Sequence, residues 1–366
     1  MGPIDVLVTA YAGKRVLVTG HTGFKGSWLS LWLKQLGAYV YGYALEPTTT
    51  PSMFELCGVA DLVDHKVGDI RDCDATIRRM AEVRPDVVFH LAAQPIVRLS
   101  YDAPLETLST NVMGTASVLE AVRSLDAACA VVVVSSDKCY ENREWVWGYR
   151  ENDPFGGKDP YSMSKGATEL VVSAWRHSYF GEHSPVRLAS ARAGNVIGGG
   201  DWARDRIMTD LVEALTGGAP LELRNPGATR PWQHVLEPLS GYLLLGARLL
   251  DTDGKAYCSG WNFGPASRDV RTVAEVIACC SAAWGADGNW QPSSAFHPPE
   301  AGMLSLNCDK AANRLGWYPT WSLESMARET MTWYRAWADG RHDLRQLTLG
   351  QIEAFQADWT TSAAFG

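Results

Sequence analysis

The sequence predicts an α/β protein built on a doubly wound parallel sheet, with a smaller, loop-rich C-terminal region that binds the substrate. Three observations predict this fold class. Short apolar runs alternate with amphipathic stretches through the first half, a glycine-rich loop joins the first run to the first such stretch, and the second half contains Gly-, Pro- and Trp-rich segments. We therefore expect a sheet domain over residues 13–193, a substrate-binding region over 194–345 from which some strands return to the sheet, and a C-terminal tail over 346–366.

The apolar runs are rich in β-branched residues, as expected for strands that are covered on both faces. The predicted strands are residues 15–19, 39–43, 86–91, 130–135 and 186–191. Helices are expected in the intervals, notably over 27–36, 105–125 and 161–180. Because no internal repeat or low-complexity linker separates the two halves, we expect them to form one compact body.

Composition and charge exclude several classes of function. The 366 residues include 33 Lys and Arg against 41 Asp and Glu, and this net charge of −8 offers no basic surface for nucleic acid. The eight cysteines lack metal-binding spacing, which predicts reduced thiols and no metal site in a cytoplasmic protein. The first residues lack the cationic start of a targeting peptide, and the longest apolar run, 243–250, contains Arg248 and is too short to span a membrane.

The loop after the first predicted strand carries glycine at three-residue intervals, at Gly20, Gly23 and Gly26. Such glycines allow a tight turn and let the backbone approach a pyrophosphate, whose charge is stabilised by the amides of the following helix. The order of strand, loop and helix predicts a Rossmann dinucleotide-binding fingerprint, and a glycine-rich turn without a ligand is the alternative. The other loop residues predicted to contact the cofactor are His21, Phe24 and Lys25.

The predicted cofactor is NAD. It is favoured over NADP because no arginine lies between Val16 and Ile70 to hold a 2′-phosphate, although Lys25 argues in the other direction. Glu46, after the second strand, is the candidate for binding the ribose hydroxyls. Further cofactor contacts are predicted at the ends of the third and fourth strands, at Asp69, Ile70, Leu91, Ala92, Ala93 and Gln94. A surface turn and a tightly packed strand end are the respective alternatives.

Tyr161 and Lys165 lie four residues apart on a predicted helix that Asp159 and Pro160 begin, so they share one helix face. A nearby cation lowers the pKa of a phenol, which predicts that Tyr161 acts as a base toward a sugar hydroxyl while both residues also contact the cofactor. The same spacing occurs on solvated helix faces, but downstream of a dinucleotide loop it predicts a catalytic pair. Ser136 ends a buried strand and is predicted to hydrogen-bond the substrate, with a strand-terminating cap as the alternative.

Together these residues resemble the extended short-chain dehydrogenases/reductases that modify nucleotide sugars, and among them most closely the CDP-glucose 4,6-dehydratases. The resemblance covers nearly the whole chain, and its most specific segments are residues 20–28, 136–140, 142–149, 193–202 and 230–235. The triplet Ser136-Asp137-Lys138 matches the CDP type, whereas dTDP-sugar dehydratases usually carry Thr-Asp-Glu. The resemblance implies NAD as cofactor, CDP-glucose or a related nucleotide sugar as substrate, and a homodimer formed through the helices over 105–125 and 161–180.

The resemblance also implies a reaction with net loss of water. Tyr161 takes the proton of the sugar's 4-hydroxyl while carbon 4 is oxidised through bound NAD. Lys138 then removes the hydrogen at carbon 5, Asp137 protonates the departing 6-hydroxyl, and carbon 6 is reduced. For these roles Asp137 must be protonated and Lys138 neutral, and burial changes both pKa values in that direction.

The nucleotide diphosphate is expected to be bound by residues of the second half, namely Asn195, Arg206, Arg230 and His234. Each has a structural alternative, because Arg and Asn beside glycine loops often satisfy buried carbonyls. Trp145 and Trp147 are candidates for the sugar or base pocket, with ordinary core aromatics as the alternative. Residues 297–304 depart from the family, in which an aromatic or basic residue commonly follows the Glu-Ala pair, so the sugar or base accepted is less closely defined than the reaction type.

Two other functions stay open. A nucleotide-sugar 4-epimerase shares the glycine loop and the Tyr161–Lys165 pair but releases no water, and the presence of Asp137 and Lys138 argues against it. A non-catalytic NAD-binding protein of the same fold is opposed by the intact catalytic pair.

Overall fold

A computed structural model describes residues 2–218, 220–266, 270–294, 302–340 and 343–363. The strands, in chain order, are β1 Arg15–Thr19, β2 Tyr39–Ala44, β3 Asp64–Val67, β4 Val87–His90, β5 Cys129–Val134, β6 Val186–Ala193, β7 Val196–Ile197, β8 Leu221–Leu223, β9 Thr229–Arg230, β10 Gln233–His234, β11 Gly260–Phe263, β12 Arg271–Thr272 and β13 Trp290–Pro292.

The helices are α1 Pro3–Tyr11, α2 Phe24–Gln35, α3 Met53–Leu56, α4 Cys73–Val83, α5 Val97–Asp102, α6 Pro104–Leu108, α7 Gly114–Arg123, α8 Pro160–Ser178, α9 Ile207–Gly217, α10 Leu236–Leu250, α11 Val273–Trp284, α12 Asp309–Leu315, α13 Leu323–Asp339 and α14 Leu344–Ala363. A π-helical segment, Ser109–Met113, joins α6 to α7, and short 3₁₀ turns occur at Val59–Asp61, Asp137–Cys139 and Gly254–Tyr257.

The central sheet has the strand order β11-β6-β5-β4-β1-β2-β3, and every pair in it is parallel. The order reverses between β1 and β4, where Val18 pairs with Phe89 and Thr19 with His90. In such sheets ligands bind beyond the carboxyl ends of the strands at this switch point. The predicted doubly wound α/β fold is therefore confirmed, and the glycine loop after β1 lies at the expected place.

Two apolar layers cover the sheet, because its central strands are buried on both faces. One layer contains α1, α2, α10 and α13 and packs against alternate residues such as Val18 and Val132. The other contains α4, α7 and α8 and packs against the intervening residues such as Leu17 and Val133. This alternation along each strand explains why the β-branched runs are apolar without interruption.

The predicted strands agree with the observed ones to within two residues at each boundary. Of the predicted helices, 161–180 is the single helix α8, whereas 105–125 is divided by the π-helical segment, which directs the Asn111 side chain into the protein. The strand β11 of the second half pairs with β6 at the edge of the central sheet.

The second half contains short strand pairs and surrounds the carboxyl edge of the sheet through its loops. The segment expected as a C-terminal tail, 346–366, lies within α14 as far as residue 363. This helix packs against α1, α2 and α13 and buries Ile352, Phe355 and Trp359. Within the described ranges, no helix has the length and apolar character needed to cross a membrane.

Candidate active site

The glycine loop fits a dinucleotide pyrophosphate. Gly20 has a φ of +76°, and a Cβ there would lie 2.6 Å from the backbone nitrogen of Ala92, so only glycine permits this approach of two strand ends. A Cβ on Gly26 would overlap the carbonyl oxygen of Gly20. The helix α2 begins at Phe24 after Gly23, which has no capping side chain, so the first amides of α2 are available to an anion.

The His21 ring is committed to contacts inside the protein. Its Nε2 lies 2.7 Å from Nδ1 of His65, and a Cβ on Gly42 would overlap the ring. Burial, with smaller contributions from His65 and Arg79, lowers the pKa of His21 to about 3. His21 is therefore neutral and fixes the loop to β2 and β3, leaving its backbone for a cofactor.

At the end of β3, the predicted Asp69 carboxylate forms an ion pair with Arg71 at 2.6 Å, and hydrogen bonds from Arg71 lower its pKa. Ile70 is buried against Gly114 at the start of α7. Glu46, the candidate for binding ribose, is exposed two residues beyond the end of β2.

The segment after β4 borders the glycine loop. The amide of Ala92 donates to Oγ1 of Thr19 at 3.3 Å, and Leu91 and Ala93 flank it, half-buried. The Gln94 side chain turns inward and donates to Oγ1 of Thr107 at 2.8 Å. Gln94 thus orders this segment through its side chain and leaves the backbone of residues 91–93 nearest the predicted cofactor.

Asn111 is a site residue that the sequence analysis missed. Its Nδ2 donates to Oγ of Ser164 at 2.9 Å and to the Gln94 carbonyl at 3.1 Å, and its Oδ1 accepts from the Gln94 amide. It therefore joins the segment after β4 to the catalytic helix α8. The π-helical segment that directs it inward has no sequence signal we could have used.

Tyr161 and Lys165 lie in the first turns of α8, whose amino end is capped by Asp159 and begins with Pro160. Both are buried, and the Lys165 Nζ lies 6.0 Å from the centre of the Tyr161 ring. Burial raises the pKa of Tyr161 to about 12 despite a hydrogen bond with Ser136, and burial lowers the pKa of Lys165 to about 8. The expected decrease in the phenol pKa is wrong for this structure, because desolvation outweighs the neighbouring positive charges.

The turn after β5 carries Asp137, the predicted acid. Ser136 caps it: its Oγ accepts from the Lys138 amide at 3.2 Å and donates to Oδ1 of Asp137 at 2.9 Å. Asp137 is only 2% exposed, burial raises its pKa, and its Oδ2 has no hydrogen-bond partner among the described residues. A Cβ on Gly194 would overlap the Pro231 ring and lie 3.1 Å from this Oδ2, so the glycine lets Pro231 pack close to the acid. Lys138 follows, half-buried.

Lys25 faces the same cluster from α2. Burial, together with the charges of Arg206 and Lys165, lowers the pKa of Lys25 to about 8, while Asp137 and Asp201 oppose the decrease. We predicted Lys25 as a cofactor contact, and the structure adds that its ammonium lies in the electrostatic field of the catalytic residues. We call Lys25, Asp137, Lys138, Tyr161 and Lys165 the catalytic cluster.

A cavity of about 140 Å³ is lined by residues of the second half of the chain. Its polar lining includes three of the predicted substrate residues and several that were not predicted: Asn195, Asp201, Asp205, Arg206, Asp210, Glu222, Arg224, Asn225 and Arg230. Arg206 and Arg230 also contribute to the electrostatic environment of Tyr161 and Asp137, respectively, so they connect the cavity to the cluster.

The prediction for His234 needs correction, because its ring does not line this cavity. His234 is fully buried, 5.8 Å from the Trp28 ring and 4.9 Å from the Trp321 ring between centres. Burial lowers its pKa to about 3. The short strand β10 turns this side chain toward α2, away from the substrate side.

Trp145 stacks on Tyr149 at 5.3 Å between ring centres, and Trp147 is 67% exposed.

Residues 297–301 of the family departure lie outside the described residues. Among the residues that are described, no group of three or more His, Cys, Asp or Glu side chains could hold a metal ion.

Comparison with known proteins assigns the family. The family model described as GDP-mannose 4,6 dehydratase matches residues 17–330. The chain belongs to this dehydratase family. It is 53% identical to a CDP-glucose 4,6-dehydratase of Salmonella typhimurium over 90% of this chain and 93% of that protein, and 30% identical to a dTDP-glucose 4,6-dehydratase of Mycolicibacterium smegmatis over 88% and 93%. The solved structure of MoeE5 in complex with UDP-glucose and NAD superposes with a TM-score of 0.72 at 26% identity, covering 87% of this chain and 98% of that one.

In this member of the dehydratase family, the arrangement combines a proton acceptor with a proton donor. Tyr161 and Lys165 adjoin the dinucleotide loop, and burial raises the pKa of the Asp137 carboxyl. Such a site can remove a proton from a hydroxyl group and supply a proton to a leaving group.

Proposed function

We propose that the chain is an NAD-dependent CDP-glucose 4,6-dehydratase, a hydro-lyase that converts CDP-D-glucose into CDP-4-keto-6-deoxy-D-glucose. The observation that carries this proposal is the buried Asp137 carboxyl with an unpaired oxygen, close to the Tyr161–Lys165 pair. A dehydratase needs such a proton donor. The choice of CDP-glucose is supported by the 53% identity to the Salmonella typhimurium enzyme.

The loop residues Gly20, Gly23 and Gly26 and the amides of α2 would hold the NAD pyrophosphate, and the backbone of Leu91, Ala92 and Ala93 would border the rest of the dinucleotide. Bound there, NAD would supply the hydride transfer that oxidises carbon 4 of the sugar and later reduces carbon 6. The protein's own task is therefore to orient the sugar and to move protons.

Tyr161 accepts the proton of the 4-hydroxyl. With a pKa of about 12, the Tyr161 phenol stays protonated at neutral pH. Tyr161 therefore acts as a base only when Lys165, or another positive charge that develops nearby, stabilises the phenolate. Lys165 has a pKa of about 8, so it is charged at neutral pH and stabilises the phenolate. Ser136 forms a hydrogen bond that lowers the pKa of Tyr161, and it is placed to contact the 4-hydroxyl of the sugar.

Asp137 and Lys138 perform the elimination. A 4-ketone acidifies the hydrogen at carbon 5, which Lys138 removes as a proton and returns to carbon 5 when carbon 6 is reduced. Burial raises the pKa of Asp137, which favours the protonated carboxyl that donates its proton to the departing 6-hydroxyl.

Arg206 and Arg230 bind the substrate diphosphate, with Asn195 beside them in the cavity. The epimerase alternative is not favoured, since an epimerase has no use for a buried acid beside the tyrosine. A non-catalytic role gives no reason to keep Asp137 desolvated.

The decisive test is mass spectrometry of the sugar product after incubation with NAD and, separately, CDP-, UDP-, GDP- and dTDP-glucose. We expect loss of one water from CDP-glucose without accumulation of NADH. An altered sugar configuration at unchanged mass would establish an epimerase. No reaction with any of the four would refute the proposed function.

We also propose that the protein works as a homodimer in the cytoplasm. Apolar side chains are exposed along α5 to α8 on one side of the molecule: Leu99, Tyr101, Leu105, Met113, Met163, Leu170 and Tyr179. Such a patch suits a two-fold interface. All eight cysteines are free thiols, as suits a reducing compartment. Light scattering should give the dimer mass, and Leu170→Asp should give the monomer; a monomeric wild-type protein would refute the dimer.

A further inference from the structure

We propose that a buried ion pair, Glu169 with Arg192, is a positioning device that sets the catalytic helix α8 against the turn that carries Asp137 and Lys138. This inference rests on the proposed function and adds residues that do not touch the substrate. The ion pair and its partners Tyr140 and Asn262 are called the positioning network below.

The network begins on the catalytic helix. Glu169 lies one turn beyond Lys165 and two turns beyond Tyr161 on α8, and is 3% exposed. Its two carboxylate oxygens accept from Nε and Nη2 of Arg192, each at 2.8 Å, and from Oγ of Ser190 at 2.7 Å. This two-pronged geometry fixes both the distance and the rotation of α8 relative to β6.

The network continues to the acid-bearing turn. The Nη1 of Arg192 donates to the Tyr140 hydroxyl at 2.6 Å, and Tyr140 directly follows the 3₁₀ turn that holds Asp137 and Lys138. The guanidinium also lies over the Tyr140 ring, 5.2 Å from its centre. One arginine therefore contacts the elements that carry both halves of the chemistry.

The network ends in the second half of the chain. The Tyr140 hydroxyl donates to Oδ1 of Asn262 at 2.7 Å, and Nδ2 of Asn262 donates to the carbonyls of Tyr149 and Asn307 at 2.8 and 3.1 Å. Asn262 lies on β11, the strand that returns to the central sheet from the substrate-binding half. Every polar group in this chain of contacts is paired, which is the requirement for a buried network that rigidifies its surroundings.

The network also acts on Lys165 by its charge. The groups that face Lys165 are Glu169 on its own helix, Cys139 in the acid-bearing turn, His90 on β4 and Lys25 on α2. Glu169 raises the pKa of Lys165, and thus opposes the decrease caused by burial. The effect of the Glu169 charge on Lys165 can be measured separately from the loss of kcat.

The first test is Glu169→Gln, assayed for kcat, KM, the pH dependence of kcat and the melting temperature. We expect kcat to fall about 100-fold with KM little changed, because α8 is misplaced relative to Asp137. The alkaline limb of the pH profile should move about one unit to lower pH, because Lys165 loses a negative neighbour. Glu237→Gln is the matched control: this buried carboxyl accepts only the amides of Thr320 and Trp321, so it should lower the melting temperature alone.

Two further variants separate geometry from charge. The double variant Glu169→Gln with Arg192→Met removes the pair without leaving a buried unpaired charge, so a low kcat in this variant reports the lost contact between α8 and β6 and not an uncompensated Arg192. Tyr140→Phe keeps the ion pair and removes the hydroxyl that connects Arg192 to Asn262, and should lower kcat about tenfold with an unchanged pH profile. This variant remains informative if Glu169→Gln does not fold.

Wild-type kcat and pH profile in both Tyr140→Phe and Glu169→Gln, with only a lower melting temperature, would overturn the proposal. A wild-type enzyme without dehydratase activity would instead refute the proposed function. The two failures are therefore distinguishable, since the variants are scored against an active wild type.

Discussion

The positioning network and the catalytic cluster both contain charged side chains that burial affects, and the hydrogen bonding of the two groups differs. In the positioning network, Glu169 and Arg192 satisfy one another with a bidentate contact and extend it to Tyr140. In the catalytic cluster, Oδ2 of Asp137 has no partner in the described part of the chain, and burial lowers the pKa of Lys25 and Lys165 to about 8.

The difference indicates which group does chemistry. A buried polar atom without a partner is costly, and the carboxyl oxygen of Asp137 beside Tyr161 is therefore available to a ligand or to water. A paired network is compatible with a structural or positioning role. Perturbed pKa values alone would not separate the two, because burial affects both groups.

The largest effect is expected for Tyr161→Phe. Removing the hydroxyl that accepts the sugar proton should lower kcat by about 10⁴-fold while NAD still binds. Tyr11→Phe is the matched control, because its hydroxyl donates to the Leu243 carbonyl far from the site and its loss should affect only stability. Steady-state kinetics with CDP-glucose would check both, and more than a tenth of wild-type kcat in Tyr161→Phe would remove this residue from the mechanism.

Arg192→Met should lower stability most. It leaves the Glu169 carboxylate buried without a counter-ion, so the free energy of unfolding should fall by about 3–5 kcal/mol. Urea unfolding followed by circular dichroism gives this value. An unchanged midpoint would mean that the pair contributes nothing net to the fold, and would erase the contrast with the catalytic cluster.

Asp137→Asn should lower activity without lowering stability, unlike Arg192→Met. The amide cannot donate a proton to the leaving hydroxyl, so kcat should fall by about 100-fold. Stability should be unchanged or higher, because the variant removes a carboxyl that burial destabilises in its charged form. A large loss of stability together with activity would place Asp137 with the paired, structural charges.

Gly194→Ala should test how the packing beside Asp137 affects catalysis. The added Cβ would overlap the Pro231 ring and lie 3.1 Å from Oδ2 of Asp137, so kcat should fall about tenfold. Gly350→Ala in α14 is the control, since no described atom lies within 4 Å of its Cβ position. Equal kcat in both variants would show that catalysis does not depend on the packing of Gly194 and Pro231 beside Asp137.

The smallest effect concerns pH. Because Lys165 has a pKa of about 8, activity should decline as pH rises through 8 and its ammonium is lost. The stability change has the other sign: the folded protein binds fewer protons than the unfolded chain between pH 8 and 10.5, so the contribution of Lys165 to stability increases over that window. A pH–rate profile and urea unfolding at pH 8 and 9.5 would test this, and a flat rate would contradict it.

Much of the fold was predictable because its signals are local. The β-branched runs from β1 to β6 and the interval of Gly20, Gly23 and Gly26 depend on residues close together in the sequence. The helix 105–125 was only partly predicted, since the π-helical segment at Asn111 is stabilised by contacts with Gln94 and Ser164 that a periodicity cannot show.

The sequence by itself determined the doubly wound sheet, the dinucleotide loop and the Tyr161–Lys165 pair, because each depends on spacing along one strand, loop or helix. Only the tertiary structure decided which polar groups have hydrogen-bond or ion-pair partners. It buried His234 between Trp28 and Trp321, turned Lys25 toward Asp137, and raised rather than lowered the pKa of Tyr161. The physical reason is that desolvation and pairing depend on groups that are distant in sequence and adjacent in space.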